Sequence, residues 1–334
     1  MEPRMPFTVE RSIRTCEFDP AHYARGQKHS VVIDLGPEAC GVTLPVLLVR
    51  GKEEGKTLVV TAAVHGDEFE GVRAILEVYG ELDPATLSGT IIAVPAANPP
   101  AFWNGTRTSP LDNGNLARAF PGVEQGSPTQ VLAFHLGHSI IARADFYLDL
   151  HSAGVKLLMP SMVGYDATDP RSREAAVIFG APVVWGHPAI PPGRTISFAA
   201  SRGIPWLYTE ARGAGRIDAE DLAMFKRGVL NLLRYLRMLP GRVTPAMVER
   251  VLYGRGDIDL SVSATRTGFL VPSVTLLDDV KAGQELGRTF DLQGQLVESF
   301  PSPSDGVVGM IHIFPVVEPG DAVFLVTGSM QRSR

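Results

Sequence analysis

The hydrophobic pattern of the chain is clearest around residues 57–68, TLVVTAAVHGDE. An apolar, β-branched run from Leu58 to Val64 ends in the polar turn His65-Gly66-Asp67-Glu68, and apolar positions then recur at helical spacing from Phe69 to Tyr79. Short β-branched runs predict buried strands, and a 3.6-residue period predicts a helix. We therefore predict a strand, a tight turn and a helix. The turn lies at the carboxyl end of the strand, where functional groups collect in open α/β sheets.

The alternation of apolar strands and amphipathic helices continues to about residue 238. A second buried strand over residues 144–151 ends in Asp149-Leu150-His151, and a later strand, Ile204 to Thr209, is followed by Glu210. This alternation predicts an α/β fold with helices packed on a sheet. The other predicted elements are strands at 31–33, 44–49, 90–94, 156–159 and 182–185, helices at 127–143, 170–179 and 218–238, and a hairpin-like turn at 51–55.

From about Gly256 onward the pattern changes to β-branched residues and glycines without a helical period. Two segments, residues 268–287 and 306–323, each combine an apolar strand with a short spacer and a Gly followed by Gln or Asp. This weak repeat predicts short strands joined by turns in a small, barrel-like sandwich. The segment is similar to biotinyl/lipoyl-type modules, but no lysine stands at the expected hairpin tip. We therefore interpret it as structural.

The polar ends of the first two strands suggest a metal site. His65 and Glu68 lie three positions apart at a turn, so both can face one point and serve as two ligands of a tetrahedral zinc ion. Side chains alternate along a strand, so Asp149 and His151 share a face. His151 would be the third ligand, which leaves one zinc position for water, as in catalytic sites. Asp149 would orient a ligand or contact substrate.

Other readings of these residues stay open at this point. Asp67 or Glu68 could simply interact with the dipole at a helix N-terminus. His135 and His138 lie three apart on a predicted helix and could pair on a metal, but we interpret them as partly exposed helix residues. His187, in a proline-rich segment, is interpreted as a surface or pocket-rim residue.

Composition and charge exclude several classes of protein. The chain has 334 residues and a net charge of −5, and no basic run stands out, so we expect no nucleic acid and no anionic membrane as partner. No stretch approaches the roughly 18 apolar residues of a membrane span. The first fifteen residues lack an apolar signal core, and Cys16 and Cys40 form no CxxC pair, so we expect free thiols in a cytoplasmic protein. No nucleophile elbow, P-loop or dinucleotide fingerprint is present.

Four motifs together resemble one family. HGDE, RTSPLDNGNLARAFPG, DLHSAG and YTEARG, in that order, are similar to the succinylglutamate desuccinylase/aspartoacylase family of zinc deacylases, which are relatives of the zinc carboxypeptidases. The resemblance covers about residues 31–240. It implies a zinc carboxypeptidase-like mixed sheet flanked by helices, and a C-terminal all-β module like those of the larger prokaryotic members. We accordingly predict an N-terminal extension (1–30), a zinc hydrolase domain (31–240) and a C-terminal β module (255–330).

The resemblance also implies a role for each motif residue. His65, Glu68 and His151 would hold about one zinc ion per chain. Glu210 would take a proton from water and pass it to the leaving amine. The alternative for Glu210 is a solvated strand-end carboxylate paired with Arg212.

The loop motif supplies the predicted substrate contacts. Arg107 would polarise the scissile carbonyl, Arg118 would clamp a substrate carboxylate, and Asn115 would also bind substrate. The alternative for both arginines is a surface loop position. Ala117 replaces the Asn that usually precedes the clamping Arg, and Ala211-Arg212 replaces the usual Gly after the catalytic Glu. Both departures are compatible with a hydrolase, but they do not allow the substrate to be identified from the motifs.

These observations predict a zinc-dependent amidohydrolase that acts on linear amides, removing a small acyl group from an N-acyl amino acid. A deacetylase of a diamino acid derivative, as in the N-acetyl-diaminobutyrate deacetylase-like subgroup, is one candidate. The alternatives are a zinc carboxypeptidase that acts on peptides and a non-catalytic zinc-binding scaffold. We expect a small-molecule substrate and a homo-oligomer.

Overall fold

A computed structural model describes residues 12–244 and 246–328 of the chain. Within these residues a ten-stranded mixed sheet has the order β1-β2-β3-β5-β4-β6-β10-β8-β9-β11. The strands of the first part of the chain are β1 (Ser12–Arg14), β2 (Gln27–Asp34), β3 (Thr43–Arg50), β4 (Glu53–Ala62), β5 (Ser88–Val94), β6 (Phe146–Ser152), β7 (Leu157–Leu158), β8 (Met162–Asp166), β9 (Val183–His187), β10 (Trp206–Ala211) and β11 (Arg250–Tyr253).

The central strands β5, β4, β6 and β10 run parallel, so their carboxyl ends meet at one edge. In this register Thr61 lies beside Asp149, and His151 lies beside Glu210. The strands are nearly continuous hydrophobic runs because both faces of the sheet are covered. The sheet thereby brings the polar ends of three strands together.

Helices cover the two faces of the sheet and produce two separate cores. One core contains residues of α1, α4 and α6, and the other contains residues of α3 and α5. On α1, Ala74, Ile75 and Val78 are buried at the spacing expected for an amphipathic helix. The helices are α1 (Glu70–Glu81), α2 (Pro99–Asn104), α3 (Pro128–His135), α4 (Pro170–Phe179), α5 (Thr195–Ser201) and α6 (Ala219–Tyr235).

Two smaller antiparallel sheets form the C-terminal module. Their orders are β12-β19-β17-β14 and β16-β15-β13-β18, and they enclose a core that includes Leu286, Phe300 and Phe324. Strand β7 pairs with β17 and so attaches the module to the first part of the chain. The strands are β12 (Val262–Ser263), β13 (Gly268–Pro272), β14 (Asp279–Val280), β15 (Glu285–Phe290), β16 (Leu296–Pro301), β17 (Gly306–His312), β18 (Val316–Val317) and β19 (Ala322–Thr327).

Most predicted elements are confirmed, with some differences. The prediction of a hairpin-like turn at 51–55 is wrong. The strands β3 and β4 are not neighbours in the sheet, because β5 lies between them and pairs with both. The predicted helix from residue 127 does begin with a capping contact, in which the Ser127 amide donates to Gln130 Oε1 at 3.0 Å. Beyond His135 it continues as a π-helical turn and a 3₁₀ turn up to Arg143.

The predicted domain boundaries stay a prediction, and the observed sheet extends beyond 31–240 at both ends. Strand β1 precedes that range and β11 follows it. Residues 1–11 of the predicted extension and residues 329–330 of the predicted module lie outside the described residues. Within the described part of the chain, no helix has the length and apolar character needed to span a membrane.

Candidate metal centre and active-site cavity

A tight turn after β4 carries the first two candidate ligands. Its backbone is anchored by neighbouring residues, since the amides of Ala97 and Asn98 donate to the carbonyls of Ala62 and Ala63. Gly66 permits the close approach to α2: a Cβ at this position would lie only 2.0 Å from the carbonyl carbon of Ala101. Any side chain larger than hydrogen would therefore displace the turn.

His65, Glu68 and His151 converge and are largely buried. One oxygen of Glu68, Oε1, lies 2.6 Å from His65 Nδ1, and the other, Oε2, lies 2.8 Å from His151 Nδ1. The imidazole centroids are 5.3 Å apart, and one ligand atom from each residue can be chosen so that all lie within 4.8 Å of one another. The alternative in which Glu68 interacts with the helix dipole is not supported, because both of its oxygens face histidines.

Asp149 lies behind His151 and fixes its orientation. The His151 Nε2 donates to Asp149 Oδ2 at 2.9 Å, which leaves Nδ1 to face Glu68. Thr61 donates to Asp149 Oδ1 at 2.6 Å, and Thr195 donates to Oδ2. A carboxylate that holds the second nitrogen of a ligating histidine is the usual support of a metal site. These contacts favour the ligand-orienting role of Asp149, and its contact with substrate stays a prediction.

The donor set fits a divalent metal. Two imidazoles and one carboxylate are the ligands of many catalytic zinc sites. Burial disfavours ionisation of Glu68, but the charges of His65 and His151 hold the pKa of this carboxyl well below its usual range. Burial and the nearby Arg107 guanidinium lower the pKa of His65 to about 4. An ionised carboxylate and a neutral imidazole are the forms that bind metal. Burial lowers the pKa of His151, but the carboxylates of Asp149 and Glu68 outweigh burial and raise this pKa well above its usual value, so metal binding would release a proton from His151.

Glu210 faces the same point from the next strand. It lies beside His151 in the sheet register, and its Oε2 has no hydrogen-bond partner although it is buried. Burial and the charge of Glu68 raise the pKa of Glu210 to about 8, against the opposing effect of His151. The predicted alternative pairing with Arg212 is wrong, because that guanidinium contacts acidic residues at the start of α6, including Asp218 at 2.6 Å.

The three loop residues predicted to bind substrate are placed differently. Arg107 lines the cavity, with Nη1 3.6 Å from Glu68 Oε1. Arg118 also lines it, but its guanidinium binds Asp259 in a bidentate manner, with two contacts of 2.9 Å. Asn115 is outside the cavity wall. Its Oδ1 accepts from the Ala117 amide at 3.0 Å, which caps a 3₁₀ turn, so its predicted substrate contact is not supported by this arrangement.

The candidate site opens into a cavity of about 450 Å³. One part of its wall is apolar and comes from both parts of the chain: Leu157 and Met159 on one side, and Met310 and Leu325 of the C-terminal module on the other. Residues 255–258 and Leu260 complete the wall. Its volume is that of a small-molecule site, and about half of its lining residues are polar or charged.

Two further cavity residues, His187 and Tyr208, were not identified as functional by the sequence analysis. His187 is 3% exposed and lines the cavity, so the surface interpretation is wrong and the pocket interpretation is supported. Its Nε2 lies 2.8 Å from the Tyr208 hydroxyl. Tyr208 stands two positions before Glu210 on β10. Strand alternation, which places both on one face, was the signal that could have revealed it.

Comparison with known proteins identifies the family. A model of the succinylglutamate desuccinylase/aspartoacylase catalytic domain matches residues 54–236, which is more than half of the chain. The chain belongs to the succinylglutamate desuccinylase/aspartoacylase family. It is also 31% identical, over 293 residues and 85% of each chain, to the N-alpha-acetyl-L-2,4-diaminobutyric acid deacetylase of Halomonas elongata.

Solved structures of relatives share the fold of this family member. The succinylglutamate desuccinylase/aspartoacylase of Rhodobacter sphaeroides is 30% identical, with a TM-score of 0.82 over 94% of this chain and 99% of that one. The product-bound ectoine utilization protein EutE of Ruegeria pomeroyi is 29% identical, with a TM-score of 0.77 over 86% of this chain and 89% of that one. The family, fold class and hydrolase class predicted from the motifs are therefore confirmed.

Proposed function

We propose that this protein is a zinc-dependent amidohydrolase that removes a small acyl group from an N-acyl amino acid. The observation that carries the proposal is the position of Glu210. Its carboxyl, whose buried Oε2 has no hydrogen-bond partner, lines the same cavity as the buried cluster of His65, Glu68 and His151. In this proposal the cluster holds about one zinc ion per chain.

Each residue of the site then has a defined task. Zinc bound to this cluster would supply Lewis acidity, which makes water more acidic and polarises a carbonyl. Glu210 accepts a proton from the attacking water and donates it to the leaving amine. Arg107 places positive charge near the carbonyl oxygen as negative charge develops there. Asp149 keeps His151 in one orientation.

The substrate is proposed to be small. The Halomonas elongata relative is named a deacetylase of N-acetyl-diaminobutyrate, which supports a substrate of this size. The cavity volume of about 450 Å³ also favours a small amide over a peptide, the carboxypeptidase alternative. A scaffold without activity would not need an unpaired buried carboxylate beside the metal ligands. Homo-oligomer formation and a cytoplasmic location stay predictions from the sequence.

Two substitutions test the proposal. We expect Glu210→Gln to retain zinc while turnover falls about 10²- to 10⁴-fold, because the proton acceptor is lost and the ligands are intact. His65→Ala should lose the metal as well as the activity. Elemental analysis and hydrolysis of N-acetyl, N-succinyl and peptide substrates are the measurements.

Glu124→Gln is the matched control, because Glu124 is an exposed carboxylate outside the cavity wall. It should leave metal content and turnover unchanged. Full turnover in the Glu210→Gln protein would remove Glu210 from the mechanism, and hydrolysis of peptides alone would favour the carboxypeptidase alternative.

A further inference from the structure

The proposed mechanism does not use the buried pair formed by His187 and Tyr208, although both residues line the cavity. The His187 Nδ1 lies 3.1 Å from the Gly254 carbonyl oxygen, and its Nε2 lies 2.8 Å from the Tyr208 hydroxyl. A carbonyl oxygen can only accept a hydrogen bond, so Nδ1 must carry the proton. Burial lowers the pKa of His187 to about 4, so near neutral pH the ring carries only that one proton.

This tautomer determines the direction of the second hydrogen bond. The unprotonated Nε2 can only accept, so the Tyr208 hydroxyl must donate to it. Burial, together with the charges of Glu210 and Asp257, raises the pKa of Tyr208 well above its usual value, so the hydroxyl keeps its proton. With that proton committed to His187, the Tyr208 oxygen has only lone pairs to offer to a ligand.

The surrounding backbone holds both rings in place. Gly164 is the strand partner of Tyr208, and a Cβ there would lie 2.0 Å from ring atom Cε1 of the tyrosine. A Cβ on Gly256 would lie 2.7 Å from Cε1 of His187. The ring of Trp185 stacks on that of His187, with centroids 5.5 Å apart. Neither ring can swing away without moving backbone, so the hydrogen-bond chain is preorganised.

Two carboxyl groups act on the pKa of Tyr208, and the arginines Arg107, Arg118, Arg194 and Arg255 also line the cavity. Glu210 lies on the same strand face, and Asp257 contributes a second carboxylate, although Asp257 also pairs with Arg194 and Arg118. A lone-pair acceptor in such surroundings favours a positively charged donor over a carboxylate, whose oxygens would face the lone pairs of the tyrosine.

We propose that His187 is a positioning residue that presents the Tyr208 oxygen as a hydrogen-bond acceptor, and that this part of the cavity binds an ammonium group of the substrate. This inference rests on the proposed function, because it assigns the side-chain group of the N-acyl amino acid. Tyr208 is then a specificity-determining residue, and the Gly254 carbonyl, in the segment that leads to the C-terminal module, selects the tautomer.

The test uses N-acetyl amino acids of matched side-chain length. They end in an ammonium (2,4-diaminobutyrate), a hydroxyl (homoserine), a methyl (norvaline) or a carboxylate (aspartate). For the zinc-loaded wild type, kcat/KM should be about 10- to 100-fold higher for the ammonium compound than for the methyl compound. In Tyr208→Phe this ratio should fall about tenfold or more, mainly through KM. An equal ratio in wild type and Tyr208→Phe would overturn the proposal.

Two variants of His187 separate positioning from mere packing. Asn can still donate to Gly254 but is too short to accept from Tyr208, whereas Gln can reach the hydroxyl with its carboxamide oxygen. We expect His187→Asn to lose the preference for the ammonium compound and His187→Gln to restore much of it. Tyr165→Phe is the control, because Tyr165 is buried in the neighbouring strand and does not line the cavity. Equal loss in both His187 variants would contradict the positioning role.

A binding measurement keeps this inference separate from the proposed function. If the wild type hydrolyses neither these four compounds nor the N-succinyl amino acids, the proposed function fails. Calorimetry with the zinc-loaded protein then compares free 2,4-diaminobutyrate with norvaline. Tighter binding of the diamino acid that is lost in Tyr208→Phe supports the inference, and equal binding or no binding overturns it.

Discussion

At the scale of single residues, the buried imidazole of His187 leads to a prediction about acid stability. Burial lowers its pKa in the folded protein to about 4, whereas an unfolded chain takes up this proton near pH 6.5. Between these values the unfolded state binds more protons, so the free energy of unfolding falls as the pH falls from about 6.5 to about 4. The full effect corresponds to about 3 kcal/mol.

The measurement is urea denaturation of the metal-free protein at pH 7.0 and pH 4.5, which removes the effect of zinc loss in acid. We expect His187→Asn to lose less stability between these pH values than the wild type, because the protonatable group is gone. His138→Asn is the control, since His138 is exposed. The same loss in wild type and His187→Asn would contradict the assigned charge state.

The sequence predicts the metal-site residues better than the rest of the cavity. His65, His151 and Glu210 each follow a strong apolar run, so the pattern places them at strand ends, and parallel pairing then brings those ends together. His187 and Tyr208 could not be paired in this way. Their contact depends on the order of β8, β9 and β10 in the sheet and on a carbonyl from residue 254, none of which leaves a local pattern.

At the scale of elements, the 3₁₀ turn Ile258–Leu260 and its N-cap residue Asp257 place two carboxylates against arginines of the cavity wall. Asp259 binds Arg118 in a bidentate manner, and Asp257 contacts both Arg118 and Arg194. Arg118 is the residue predicted to clamp a substrate carboxylate, so Asp259 would compete with the substrate for it. The side chain of Asp259 is 57% exposed, and an ion pair so close to solvent contributes little, so displacement is easy.

We therefore predict that Asp259→Asn lowers KM for N-acyl amino acids with a free carboxylate by about twofold to fivefold, with little change in kcat. Asp279→Asn is the control, because it breaks an ion pair with Arg250 away from the cavity wall. An unchanged KM in Asp259→Asn would contradict competition between Asp259 and the substrate for Arg118. The measurement is steady-state kinetics at constant ionic strength, since these charges are partly exposed.

Element boundaries were predictable where the local signal is strong, as for α1 and α6. The prediction of a hairpin at 51–55 was wrong because a polar segment flanked by glycines between two strands has the sequence pattern of a hairpin turn. Strand order is a property of the whole sheet, and here β5, formed later in the chain, lies between β3 and β4. Strand β8 and helix α5 were missed because both are short and lie in segments rich in Gly and Pro.

At the scale of the whole molecule, the sheet and the C-terminal module share one apolar core. Trp185 and Leu252 of the sheet pack in the same cluster as Val307 and Leu325 of the module. Strand β11 pairs with β9 at the edge of the sheet, and β7 pairs with β17 of the module. The composition change near residue 256 revealed the module but gave no sign of this shared interior.

We predict that Leu252→Ala lowers the free energy of unfolding by about 2–5 kcal/mol, because Leu252 is fully buried between the two parts. Tryptophan fluorescence reports on the first part of the chain, which contains all three tryptophans, and hydrogen exchange of β15 and β16 reports on the module. Both probes should shift together. A shift of one probe alone would contradict a shared core.

Leu296→Ala is the matched control for this substitution. Leu296 belongs to the module but is 58% exposed, so its loss should change stability by no more than about 0.5 kcal/mol.

The carbonyl of Gly254 has a consequence for engineering chimaeras within the family. An exchange of C-terminal modules between relatives would replace Met310 and Leu325, which belong to the cavity wall. It would also change the apolar cluster that the module shares with the sheet. A chimaera whose junction falls after residue 260 would keep Gly254 and its hydrogen bond with His187. The Tyr208 hydroxyl would then still donate to His187. With a junction before residue 254, the corresponding segment of the other relative would replace Gly254 and would determine the tautomer of His187. Two chimaeras of nearly identical composition should therefore differ in which substrate side chains they accept.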